Sequence, residues 1–168
     1  MPSVSGLDRE QRRRARKRAV RAALLALDNT SRIHYTQDAT PRWEGIRNRL
    51  DAGHGRFPAH SDCSSFATWC LWNGLQLEFG VDDVVNGFDW TAGYTGTMLK
   101  NGRRVRHLEN VKPGDCVLYG TEWPGKHVAI VVGRKDGVPM AVSHGSEEGP
   151  FLVRYDYRPD ILEFRRYI

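Results

Sequence analysis

The sequence predicts an α+β domain in which N-terminal helices pack on a C-terminal antiparallel sheet. Two observations carry this. Apolar residues recur at helical spacing in the first half, in Asp8–Leu27 and Cys63–Asn73, whereas from Val111 onward they alternate with period two. The helices come first and the strands follow, which is the order of an α+β rather than an alternating α/β chain. At 168 residues the chain holds one sizeable core and is too short for two ordinary domains.

Residues 1–8 read as a loose leader. A long helix follows from about Asp8 to Leu27, rich in Arg, Ala and Leu. Ala15, Ala19, Ala22, Ala23, Ala26 and Leu27 form its apolar stripe, with arginines opposite. Asp28-Asn29-Thr30-Ser31 ends it. This gives a basic N-terminal helix, residues 1–30, either part of or appended to a main domain over 31–168. A short helix is expected around Trp43–Leu50. Asp62 is a start signal for a helix from Cys63, and Gly74 reads as its stop. Residues 81–99 are punctuated by Gly and Asp and are helical only in part. Asp115–Tyr119, His127–Gly133, Val138–His144 and Phe151–Tyr157 read as strands of a meander separated by turn residues.

The net charge of +5 points to an anionic partner, and it is concentrated in the first helix. Neither zinc-finger spacing nor an aromatic RNA-reading motif accompanies that charge, so specific nucleic-acid recognition is not expected. Three cysteines do not make a disulfide framework, and Cys70 and Cys116 lie in apolar runs. No stretch approaches the roughly 18 apolar residues of a membrane span. Ala19–Leu27 imitates a secretory signal, but Arg21 interrupts it and no clean cleavage site follows, so no signal peptide is expected.

Cys63 is the candidate nucleophile. On the first turn of its helix, unpaired N–H groups and the helix dipole favour a thiolate and can hold an oxyanion. His127 opens one strand and His144 closes the next. A four-residue loop at Arg134–Gly137 puts them directly opposite each other, and a two-residue loop at Asp136-Gly137 makes them diagonal neighbours. Both registers place them on one face, as base and orienter for the thiol. Cys63, His127 and His144 also suffice for three zinc ligands, but no short-range ligand pair supports a metal. No cofactor or metal is expected.

Asp62-Cys63-Ser64-Ser65-Phe66 resembles the Asp-Cys-Ser-Gly-Phe nucleophile motif of NlpC-type cell-wall cysteine peptidases. Val111–Tyr119 resembles the Leu-Lys-Pro-Gly-Asp-Leu entry to their sheet, and His127–Gly133 their His-Val-Gly-Ile-Tyr-Val-Gly strand. The resemblance covers residues 31–157. It implies a papain-like fold and hydrolysis of peptidoglycan stem peptides, commonly between γ-D-glutamyl and a diamino acid. By position it makes Cys63 the nucleophile, His127 the base and His144 the orienter. Tyr35, Asp62 and Ser64 then stand at the oxyanion or substrate, and Ser65 replaces a glycine behind the nucleophile. Ile33–Gln37 with Arg42–Ile46 also resembles endolysins of phages infecting actinobacteria. Such a lysin would stay in the host cytoplasm until lysis and then reach the wall, with the Arg-rich helix contacting anionic wall polymers. The alternatives are a muramoyl-L-alanine amidase of the CHAP kind, an acyltransferase or transglutaminase-like enzyme on the same fold, and a non-catalytic binding module.

Overall fold

The computed structural model describes residues 3–145 and 149–168. Of the presumed loose leader, residues 1–2 lie outside these. The rest is ordered: Val4–Gly6 forms a 3-10 turn and Leu7 is buried. Helix α1, Arg9–Leu27, begins at an Asp8 cap whose carboxylate accepts the Gln11 N–H, while the Gln11 side chain accepts the Asp8 N–H. This reciprocal pair satisfies two of the helix's otherwise unbonded donors. The alanine stripe is fully buried, and it packs on the long central helix, which lies further along the chain.

A short parallel pair, β1 (His34–Tyr35) and β2 (His60–Ser61), brackets a 3-10 turn at Pro41–Trp43 and the four-residue helix α2, Glu44–Arg47. Helix α3 spans Cys63–Phe79. It runs past the expected stop at Gly74 and ends at Gly80, whose φ of 66° supplies the left-handed cap. Gly74 serves packing instead. A Cβ there would run into the Ala15 carbonyl oxygen of α1, so the missing side chain lets the two helices approach. The loop that follows is folded around Asp83, whose carboxylate accepts N–H groups from Val85, Asn86, Phe88 and Trp90. It leads into α4, Thr95–Lys100.

Six strands then form one antiparallel sheet: β3 (Arg103–Val105), β4 (Cys116–Tyr119), β5 (His127–Lys135), β6 (Val138–Ser143), β7 (Phe151–Arg154) and β8 (Ile161–Arg166). Their spatial order is β3-β8-β4-β5-β6-β7. The expected meander is β4 to β7. β8 returns to the other side of β4 and carries β3 on its outer edge. One sheet face, with Cys116, Leu118, Val128, Ile130 and Val142, joins the helical core. The other, with Val117, Tyr119, Ala129, Val131, Ala141 and Phe164, forms a second apolar cluster. Arg166 and Asp115 close the seam by a buried two-pronged ion pair, both contacts at 2.7 Å. Among the described residues no helix is long and apolar enough to cross a membrane.

Candidate active site

Cys63 is the first residue of α3, as its sequence context requires. Asp62 holds extended backbone geometry. Its carboxylate accepts the Ser65 N–H at 2.9 Å, and the Ser65 hydroxyl accepts the Asp62 N–H at 2.8 Å. The Ser65 that replaces a glycine in the motif is therefore half of a capping box. Arg42 completes the arrangement. Its Nε and Nη2 donate to the two Asp62 oxygens at 2.9 and 3.2 Å, Nη2 also reaches the Ser64 hydroxyl at 2.8 Å, and Nη1 donates to the Gly93 carbonyl at 3.1 Å. The guanidinium lies over the Trp43 ring, 4.5 Å from its centroid. One cation thus ties the 3-10 turn, the mouth of α3 and the loop before α4 together. Asp62 and Ser64, expected at the substrate, have their side chains buried in this network. What α3 offers an oxyanion is backbone N–H.

The Cys63 thiol is half-buried. Backbone N–H groups of Val128 and Ser64 approach the sulfur and favour its anion. Burial and the Asp62 charge outweigh them and push the thiol up to about 12. Val128 directly follows His127, so the thiol meets β5 at the strand's first residues.

His127 pairs with Tyr119 across β4 and β5, and their rings lie 5.7 Å apart. His127 Nε2 is 2.7 Å from the Ser143 hydroxyl, which is in turn 3.2 Å from the Tyr157 hydroxyl. The ring is 5% exposed. Burial, reinforced by the Arg158 cation, lowers its pKa to about 4. Nε2 is thus held by Ser143, and among the described residues no hydrogen bond joins the ring to the Cys63 thiol.

The register corrects one expectation. The hairpin loop is the two-residue Asp136-Gly137, with φ of 53° and 78°, in accord with its turn chemistry. A β-bulge between Val131 and Gly133 then shifts the pairing by one, so that Ala129 faces Ser143. A one-residue slip moves every later side chain to the other face. Ser143 therefore shares the face of His127, and His144 points to the opposite side. There His144 is fully buried, its ring 5.6 Å from both Tyr35 and Phe66 and edge-on to each. Neither ring nitrogen has a partner in hydrogen-bonding geometry among the described residues. Burial lowers the His144 pKa, opposed by backbone carbonyls of His34, Gly149 and Ser61 nearby. The zinc alternative needed Cys63, His127 and His144 to converge, and the bulge separates the last two. Among the described residues no group of three or more His, Cys, Asp or Glu stands ready for a metal.

Tyr35 is brought to this region by β1, which pairs with the residues just before Asp62. Its hydroxyl accepts from Gln37 at 3.0 Å. Burial raises its pKa, followed by the closeness of Cys63 and Asp62. Sequence reading missed Arg42 and Ser143. Arg42 lies 20 positions before its partner, with no local signal. Ser143 stands beside a more conspicuous histidine and needs the bulge to be recognised.

Compared with solved structures, the chain superposes on NlpC2 from Trichomonas vaginalis at a TM-score of 0.54 and 16% identity, over 89% of this chain and 46% of that one. The fold is that of the NlpC proteins. NlpC1 from the same organism gives 0.55 at 15% identity, over 89% of this chain and 44% of that one. This chain thus spans less than half the length of either. The NlpC/p60 domain of the peptidoglycan hydrolase SagA aligns at 0.47 and 16% identity, over 76% of this chain and 97% of that domain. No family model matches the sequence, and no curated protein does.

Proposed function

We propose that this chain is a thiol hydrolase that cleaves stem peptides of bacterial peptidoglycan. The observation that carries the reading is the placing of Cys63. It sits at the mouth of α3, its sulfur near the N–H of Val128, the residue that follows His127, whose Nε2 is held by Ser143. The wall substrate is supported by the NlpC fold together with the motifs around Cys63, Val111 and His127.

In this reading His127 Nδ1 takes the thiol proton as Sγ attacks the scissile carbonyl. The tautomer required carries its proton on Nε2, donated to Ser143. N–H groups at the start of α3 receive the oxyanion. The imidazolium then protonates the leaving amine, the C–N bond breaks, and an acyl-enzyme remains on Cys63. Water, deprotonated by His127, attacks the thioester and restores the thiol. The bond proposed is γ-D-glutamyl to diamino acid, and the biological setting proposed is lysis of an actinobacterial host by a phage. Incubation with defined muropeptides and mass measurement of the products tests the bond. Cys63→Ala should abolish turnover with an unchanged melting curve, and wall digestion by that variant at the normal rate would refute the proposal.

A further inference from the structure

Helix α1 is buried along its alanines, but its outer side borders two cavities that the proposed chemistry does not use. The first, about 390 Å³, is lined by Arg14, Lys17, Arg18 and Arg21 against Asp51 and Glu78. Arg14 pairs with Glu78, and Arg18 spans Glu78 and Asp51 at 2.7 and 3.1 Å. Both carboxylates are thereby consumed, and Lys17 and Arg21 have no acidic partner among the described residues.

The second cavity, about 420 Å³, lies on the other side of the same two residues. Arg13, Arg16, Lys17, Arg21 and Lys112 ring a floor of Val20, Leu24, Pro113 and Val132, and no carboxylate lines it. Arg13 has only an exposed contact to Glu10 at 3.6 Å. Arg16 spends one nitrogen on the Ile168 carbonyl and keeps a buried Nε without a partner among the described residues. Burial, followed by the neighbouring Arg166, lowers the Arg16 pKa, and Asp115 opposes them. An anion placed here would meet five cationic side chains and, among the described residues, no lining carboxylate.

Arg13, Lys17 and Arg21 recur every fourth residue, about 6 Å apart along the helix. That is a linear array of charge, suited to a ligand whose own charges repeat along a chain. The floor is aliphatic. Among the described residues no aromatic ring on which a nucleobase could stack lines the second cavity.

We propose that this face of α1 binds a linear polyol-phosphate polymer, its phosphates on Arg13, Lys17, Arg21 and Lys112 and its methylene backbone on Val20, Leu24 and Pro113. The site is independent of Cys63, so binding is measured on Cys63→Ala protein and does not depend on the hydrolase reading. The probe is fluorescent poly(glycerol phosphate), titrated at several salt concentrations and compared with a single-stranded oligonucleotide of equal charge. Four phosphate contacts predict a log–log salt slope of about −3. The triple variant Lys17→Gln, Arg21→Gln, Lys112→Gln changes only exposed side chains and should keep its melting temperature. Its affinity should fall at least tenfold (~10×) and its slope drop to about −1. Equal binding by variant and parent, no binding by the parent, or tighter binding of the oligonucleotide would each overturn the proposal.

Discussion

Ser143 and His144 make opposite predictions, and the difference tests the site's register. Ser143→Ala removes the acceptor 2.7 Å from His127 Nε2. His127 is 5% exposed, so water is poorly placed to replace it, and an unsatisfied buried donor costs about 1–3 kcal/mol. In the free enzyme this loosens the ring. In the transition state, where the imidazole is charged, the loss is at the upper end. The expected fall in kcat is therefore about 5- to 150-fold, with KM little changed. His144→Phe instead places an apolar ring between Phe66 and Tyr35 and removes two nitrogens that have no partner in good hydrogen-bonding geometry among the described residues. Its kcat should stay within about twofold and its stability within about 1 kcal/mol. Steady-state hydrolysis of a muropeptide gives the rates, and urea unfolding controls for the fold. A normal rate in Ser143→Ala with a collapsed rate in a folded His144→Phe would refute the reasoning and restore His144 as the orienter.

Arg42→Met leaves Asp62, 7% exposed, without its partner, and should lower unfolding stability in urea by about 3 kcal/mol. Asp62→Asn keeps a good helix cap but removes a charge that raises the thiol pKa. Alkylation of Cys63 by iodoacetamide at pH 7 should therefore speed up, and an unchanged or slower rate would contradict the electrostatic assignment. His127 is held at about 4 in the folded protein against 6.5 when unfolded. The unfolded chain binds the extra proton between those values. This contribution, about 3 kcal/mol, is complete above pH 6.5 and is lost as pH falls toward 4; His127→Gln should flatten that limb in denaturant titrations. Gly74→Ala sets a methyl against the Ala15 carbonyl and should cost about 2 kcal/mol, read as a lower melting temperature.

What sequence reading recovered is what local chemistry determines. The Asp62 cap, the buried stripe of α1 and the Asp136-Gly137 turn each depend on residues within a few positions of one another, and the structure has all three. The errors are non-local. Gly74 resembles a helix stop until α1 is known to lie against it. β8, Ile161–Arg166, carries Glu163, Arg165 and Arg166 and so lacks a strand's apolar alternation. Arg166 is there for Asp115, 51 residues away. The bulge in β5 falls between Val131 and Gly133, in a run where the glycine reads equally well as the end of the strand, yet it decides which of two adjacent residues faces His127. The positions of Cys63 and His127, the proposed nucleophile and base, were readable because each stands at the start of an element with a strong local signature. Which residue faces His127 depends on register, which is a property of two strands together.

In the proposed mechanism, burial that pushes the thiol up to about 12 and the imidazole down to about 4 disfavours a preformed thiolate–imidazolium pair. One cause acts on both groups: burial penalises each charge taken alone. It does not penalise the pair equally, because a thiolate and an imidazolium formed together attract most strongly where water is scarce. Proton transfer therefore fits best in step with attack, when the negative charge passes from sulfur to an oxyanion at the N-terminus of α3. Arg42 matters to this balance. By neutralising Asp62 it keeps a carboxylate beside the nucleophile from raising the thiol further, while that carboxylate still caps the helix whose dipole stabilises the anion. Helix start, cation and thiol form one electrostatic unit; in the proposed mechanism Ser143 orients His127, which burial and the Arg158 cation keep neutral.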